Sequence, residues 1–314
     1  MPEIVVVALG GNAITRPGEP GTIPQQFEHT AETLQNLKPL FQSDARVVIT
    51  HGNGPQIGNI LIRVEEAEQR VPRLPLDTCV SDSQGGMGYM IQRLACEMFR
   101  RHGMDRTAAT VITQVLVSEN DPELSHPTKP IGSFYGCEEV ERIRREKPHW
   151  NLEEMERGRW RRVVPSPRPV RILEEKAIAR LVEAGVVVIA CGGGGIPVAW
   201  REDRLIGVEG VIDKDLASSL LARDLNANKL IILTSVERIA LGFGRPGQRW
   251  IDSLTVRQAC QYLAAGEFPP GSMGPKVQAG IEFLAHGGEE CIITSAEHVT
   301  RALRGEAGTR IVPS

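Results

Sequence analysis

Aromatic residues make up only 4% of this chain. So few rings leave little on which nucleic-acid bases could stack. The net charge of -3 points the same way, against a nucleic-acid surface or a polybasic membrane anchor. The cysteines, Cys79, Cys96, Cys137, Cys191, Cys260 and Cys291, are scattered and form no C-x-x-C pair. That argues against a disulfide frame or a zinc site and fits reduced thiols in the cytosol. No apolar run is long enough to span a membrane. The N-terminus enters a strand directly, without the basic segment of a secretion signal. The expected location is the cytoplasm, with no membrane and no nucleic acid as partner.

Several nucleotide signatures are also missing. There is no G-x-x-x-x-G-K-[ST] loop. The run Gly52-Asn53-Gly54-Pro55-Gln56-Ile57-Gly58 has one residue too many between its second and third glycines for the dinucleotide fingerprint, and Pro55 sits where that turn approaches a pyrophosphate. A dehydrogenase is therefore disfavoured. Protein-kinase motifs are absent, and no protein-held metal site is expected.

What is present is an ordinary globular composition, 41% hydrophobic and 24% charged over 314 residues. Buried β-branched runs alternate with helical periodicity, which predicts an α/β fold with a mostly parallel sheet and helices on both faces. A helix is expected from Thr22 and Pro24 to Phe41, opened by N-cap and N1-proline preference. Another is expected from Gln56 to Arg70. Pro72 to Pro75 breaks it, and Ser83-Gln84-Gly85-Gly86 leads into a helix carrying Met87, Ile91, Leu94 and Met98. Thr107 to Ser118 reads as one strand or hairpin arm. Ile196 to Gly210 reads as a hairpin, and Ile172–Ala184, Asp213–Leu225, Val256–Ala265 and Pro275–Ala285 as helices, the last with proline at N1. Leu230–Thr234 and Cys291–Thr294 are short strands, and Thr309–Val312 is a last edge. Residues 120–164 are polar and proline-punctuated. Phe134, Tyr135, Trp150 and Trp160 give them something to bury, so a small separate lobe is expected rather than disorder.

Three strands end in glycine loops. Val5 to Leu9 runs into Gly10-Gly11-Asn12, Val47 to Thr50 into His51-Gly52-Asn53-Gly54-Pro55, and Val186 to Ala190 into Cys191-Gly192-Gly193-Gly194-Gly195. Such turns at the C-terminal ends of strands bring backbone N–H groups close to a ligand. Together they suggest one shared anionic site. Lysine is scarce beside arginine, so lysines in motifs stand out. Lys214 and Lys276 fall at expected helix N-termini, where a cation opposes the helix dipole. A bound phosphate reverses that sign, because dipole, N–H groups and ammonium then all favour the anion. This suits phosphoryl transfer, which rests on positioning and charge stabilisation. Asp215 reads as the group that orients the lysines, with a metal role as the weaker alternative. His51 reads as a packing residue rather than a base, and Cys191 as buried and inert.

The series Ala8-Leu9-Gly10-Gly11-Asn12-Ala13, His51-Gly52-Asn53-Gly54-Pro55-Gln56, Gln84-Gly85 with Gly88-Tyr89, Thr128-Lys129-Pro130-Ile131-Gly132, Val164-Pro165-Ser166-Pro167, Cys191 to Pro197, Val211-Ile212-Asp213-Lys214-Asp215 and Gly271 to Lys276 resembles the carbamate kinases of the amino-acid kinase superfamily. It covers nearly the whole chain in order. The resemblance implies reversible phosphoryl transfer between ATP and carbamate, with magnesium, at the end of arginine or related nitrogen catabolism. It implies a three-layer αβα sandwich around an eight-stranded, mostly parallel sheet, and a homodimer. Residues 1–190 would form a carbamate and phosphoryl lobe, including 120–164 as a protruding subdomain, and residues 191–314 a nucleotide lobe. Gly10, Gly11, Asn12, Gly52, Asn53 and Gly54 would hold the carbamate and phosphoryl groups. Lys129, Lys214, Lys276 and Asp215 would be catalytic. Asp213, Thr234, Ser235, Val236, Ser272 and Met273 would lie at the nucleotide. Two other readings stay open on the residues alone: a related kinase for an acylamino acid or other small carboxylate or phosphate, and a nucleotide-binding regulator without catalysis.

Overall fold

The computed structural model describes residues 2–16 and 18–314, with the side chains of Asn12 and Ser133 outside the described set. The β-branched runs pair into one eight-stranded sheet. In chain order its strands are β1 (Ile4–Leu9), β2 (Arg46–His51), β3 (Ala108–Thr110), β4 (Val187–Ile189), β5 (Lys229–Thr234), β6 (Ser253–Thr255), β7 (Glu290–Ser295) and β8 (Thr309–Val312). Across the sheet they lie in the order β6-β8-β7-β5-β1-β2-β4-β3. Every pairing is parallel except β7 with β8.

Strand β1 shows why there are three layers. Its side chains alternate across the sheet, and both faces are buried. Val6 and Ala8 join a core with Ile178, Leu221 and Val277, from the helices Glu175–Glu183, Lys214–Asp224 and Met273–Ala285. Val5, Val7 and Leu9 join a second core with Leu34, Ile91 and Phe99, from the helices Ile23–Asn36 and Leu76–Arg101. The αβα sandwich follows from that continuous apolar run.

Some expected boundaries move. The helix expected to run to Phe41 splits into Ile23–Asn36 and Lys38–Gln42, with Pro39 opening the second piece. The helix expected to follow Ser83-Gln84-Gly85-Gly86 starts earlier, at Leu76, and runs through both glycines to Arg101. Its long buried stripe, from Cys79 and Val80 through Met87 to Phe99, outweighs about 1 kcal/mol per interior glycine. Thr107–Ser118 is two strands in different sheets: β3 closes the main sheet, while Gln114–Leu116 enters a four-stranded sheet with Arg171–Ile172, Ile196–Arg201 and Arg204–Gly207. β8 is not an edge, because β6 pairs outside it. The last long helix begins at Met273, which places Pro275 third rather than first.

Within the expected subdomain, residues 129–164 form a three-stranded antiparallel sheet (Lys129–Tyr135, Asn151–Glu156, Arg159–Val164) carrying the helix Cys137–Glu146. Its core is thinner than the aromatics suggest. Trp150 is buried between Lys147 and Arg162, each 4.5 Å from the ring centre. Phe134 stays exposed, covered on one face by Arg159. The subdomain docks on the helix Gly54–Ala67 by backbone contact, for a Cβ on Gly58 would lie 3.1 Å from the Gly132 Cα.

Candidate active site

The site is assembled by strand register. Leu9 pairs with His51, and Ile49 with Ile189, so the turns after β1, β2 and β4 leave the sheet side by side. Gly10 passes so close to β5 that a Cβ there would sit 2.3 Å from the Leu233 carbonyl oxygen. No other residue fits without moving a central strand. The third loop carries Cys191, Gly193, Gly194 and Gly195 at positive φ. That conformation turns Gly193 against the Asn53 side chain, where a Cβ would approach Nδ2 to 2.2 Å.

A cavity of about 270 Å³ opens beyond these turns. It is lined by Gly11, Gly52, Asn53 and Gly54 from the first two loops, by Lys129 and Ile131 from the protruding subdomain, and by Asp213, Lys214, Asp215, Ser272 and Lys276. The first turns of three helices, Gly54–Ala67, Lys214–Asp224 and Met273–Ala285, thus contribute to its wall. Their unpaired N–H groups and dipoles favour an anion there.

Asp215 organises the cations. It is 2% exposed. One carboxylate oxygen accepts from Lys214 Nζ and the other from Lys276 Nζ at 3.1 Å. Burial alone pushes the Asp215 carboxyl up, but the two ammonium groups more than offset it and hold it below the usual range. Burial pulls Lys214 below the ordinary lysine range, with Asp215 working against that. Asp213 caps the same helix by accepting from the Asp215 N–H at 2.9 Å. Its second oxygen accepts from Lys129 Nζ at 2.8 Å, which ties the protruding subdomain across the cavity.

His51 is fully buried, with Nδ1 3.0 Å from the Gly52 carbonyl oxygen. Burial lowers its pKa to about 4, so the ring is neutral. Burial also pushes the Cys191 thiol up, well away from a reactive thiolate. Thr234, Ser235, Val236, Ser272 and Met273 line an adjoining cleft of about 140 Å³, with Phe243 and Phe268. Ser272 borders both spaces, so one ligand can cross from cleft to cavity.

Residues 3–295 match the model of the amino acid kinase family. The chain belongs to that family. Within it, the chain stands among the carbamate kinases. It is 45% identical to the carbamate kinase-like protein YahI of Escherichia coli, over 99% of each chain. It is 43% identical to carbamate kinase of Pyrococcus furiosus over 100% of each. Carbamate kinase of Giardia lamblia, solved with AMP-PNP bound, superposes with a TM-score of 0.93 at 38% identity, covering 100% of this chain and 99% of that one. The family's phosphotransferase class and fold agree with the sequence reading.

The structure brings most of the expected residues of this kinase together. Gly10 backs the cavity rather than lining it. Asn12 sits in the short turn Gly11–Ala13, but its side chain is outside the described residues. Asp213, expected at the nucleotide, lines the cavity and pairs with Lys129. Residues given no individual role from the sequence also contribute: Ile57 and Ile131 as apolar wall, Gly193 as floor, Phe243 and Phe268 in the cleft. The third glycine loop signalled Gly193; nothing in the local sequence signals the two phenylalanines, which come from separate loops.

Proposed function

We propose that the chain catalyses reversible phosphoryl transfer between ATP and carbamate, releasing carbamate to ammonia and carbon dioxide when it runs toward ATP. The observation that carries this reading is Asp215 holding Lys214 and Lys276 at the starts of two helices that open on one cavity. The transferring group spreads negative charge over its oxygens, and two ammonium groups with aligned N–H donors stabilise that charge without a nucleophile. The glycine turns at Gly10-Gly11 and Gly52-Asn53-Gly54 admit the phosphoryl and carbamate oxygens to backbone distance. Lys129 reaches the acceptor from the protruding subdomain by exchanging Asp213 for the anion. No base is required, because carbamate already carries its attacking oxygen as an anion; the neutral His51 is consistent with that.

The nucleotide lies in the cleft of Thr234, Ser235, Val236, Ser272 and Met273, with its phosphates directed past Ser272. The chain thus divides into an acceptor half, 1–190, with 120–164 as its cover, and a nucleotide half, 191–314. Among the described residues, no group of three or more His, Cys, Asp or Glu side chains is placed to hold a metal ion. Asp213 and Asp215 already face lysines. The donor set therefore fits magnesium that arrives on the nucleotide phosphates, with these two carboxylates nearby. When bound, the ion neutralises phosphate charge.

The same reading includes a homodimer. β3 is one of the two outer strands of the sheet, and Tyr89 and Ile112 beside it are 60% and 44% exposed; a second copy would cover that edge. All six cysteines are free, in keeping with a reducing, cytoplasmic setting. A role in arginine or related nitrogen catabolism follows from the same chemistry. The deciding assay is ATP formation from ADP, magnesium and carbamoyl phosphate, with Lys214→Ala as control. ATP from the wild type alone supports the reading. Folded protein that binds ADP and makes no ATP overturns it, and a panel of acyl phosphates then identifies the acceptor.

A further inference from the structure

Asn53 is the N-cap of the helix Gly54–Ala67, yet its side chain makes no capping hydrogen bond. An asparagine at that position ordinarily spends its carbonyl oxygen on the helix. Here the amide is turned away. Its Nδ2 donates to Ser83 Oγ at 2.8 Å, and the Ser83 hydroxyl lies 2.7 Å from the Val80 carbonyl oxygen. That hydroxyl has one proton, and a carbonyl can only accept it. Ser83 must therefore accept from Asn53, so the amide NH2 and not the oxygen faces the serine. The network thereby fixes which way round the amide sits.

The same amide also rests on Gly193, with Nδ2 the nearest atom. That glycine is held through its neighbour: Gln84, next to Ser83 on the same helix, donates from Nε2 to the carbonyls of Gly192 and Thr113, both at 3.1 Å, and accepts from the Thr113 N–H at 2.8 Å. Ser83 and Gln84 are each 2% exposed. Asn53 lines the cavity, and its Oδ1 accepts no hydrogen bond from the described residues.

We infer that Ser83 is a specificity-determining positioning residue: it locks the Asn53 amide so that Oδ1 is kept for an N–H donor of the acceptor, the amino group that distinguishes carbamate from other small carboxylates. This rests on the carbamate reading and deepens it. A methyl group in place of the amino group would leave Oδ1 unpaired in a half-closed cavity, and such a mismatch is what discriminates between near-isosteres. In the Ser83→Ala variant the amide is free to turn and offer NH2 instead, and the distinction should fade.

The test compares kcat/KM for carbamoyl phosphate and acetyl phosphate, each with ADP and magnesium, in the wild type, Ser83→Ala and Ser83→Cys. The cysteine variant fills the space without a comparable hydroxyl. The wild type should prefer carbamoyl phosphate by ~10-fold or more, and either variant should narrow that ratio by ~10-fold while KM for ADP holds. A merely structural serine would lower both rates alike, so an unchanged ratio in a folded variant overturns the inference. A wild type that uses both acyl phosphates equally overturns it without any variant. A wild type inactive with carbamoyl phosphate would instead strike the parent reading, and this inference with it.

Discussion

Replacing Asp215 by asparagine is the sharpest perturbation the site offers. The substitution keeps the shape and the helix and removes one charge. Asp215 is 2% exposed, and the side chains of Lys214 and Lys276 are 12% and 15% exposed. At an effective dielectric of about 20, one ion contact at about 4 Å contributes about 4 kcal/mol before desolvation. Removing one member of a buried pair costs about 3–5 kcal/mol, because the partner charge is left stranded. The lysines retain some access to water, so about 3 kcal/mol is the expected loss. At roughly 2 °C per kcal/mol for a chain of this size, the melting temperature should fall by about 6 °C. Turnover should fall further, by about 10²–10³-fold, since the ammonium groups lose their common anchor. Differential scanning with and without AMP-PNP adds a second sign. Nucleotide phosphates replace the missing negative charge, so the ligand should raise the melting temperature of the variant more than that of the wild type. An Asp215→Asn protein that melts within about 1 °C of the wild type and turns over within about twofold would refute the argument that this carboxylate holds the lysines.

Three further outcomes follow from the same geometry. If Lys129 serves the acceptor as proposed, Lys129→Ala, which also breaks its ion pair with Asp213, should raise KM for carbamoyl phosphate by about tenfold or more and leave ADP affinity nearly unchanged; titrating each substrate separately checks this. Gly193→Ala should cut turnover by about 10²-fold, because its Cβ would collide with the Asn53 amide at 2.2 Å and its φ of 66° disfavours any side chain. His51, with its folded pKa lowered to about 4, makes the unfolded chain bind more protons below its ordinary value. Stability should therefore be complete above about pH 6.5 and decline toward pH 4, by about 3 kcal/mol from this group, in denaturant titrations across that window; His51→Gln should flatten the decline.

The parts of this site that are local in sequence were legible there. A buried strand running into glycines is visible in any of the three loops, and Lys214 and Lys276 were conspicuous because a cation at a helix start runs against the dipole. The contacts between distant elements were not legible. Gly85 and Gly86 read as the lead-in to a helix, although the packing of the whole Leu76–Arg101 stripe carries that helix through them. Gly88, two residues on, is needed because a Cβ there would meet Thr110 Cγ2 at 2.3 Å, a distance no local pattern encodes. Ser83 and Gln84 looked like a helix entry and proved to be the supports of Asn53 and the third loop. The break at Thr107–Ser118 was hidden because both halves are equally β-branched, and only the sheet decides which half goes where.

The in-register parallel alignment of β1, β2 and β4 also governs where the chain tolerates changes in length. A residue added inside any of these strands would advance its loop by about 3.3 Å and turn every following side chain to the opposite face. That would carry one wall of the cavity out of reach of the other two. The turns at the opposite, N-terminal ends of the strands, such as the one at Asp44 before β2, meet no such constraint, so insertions and fused tags belong on that side.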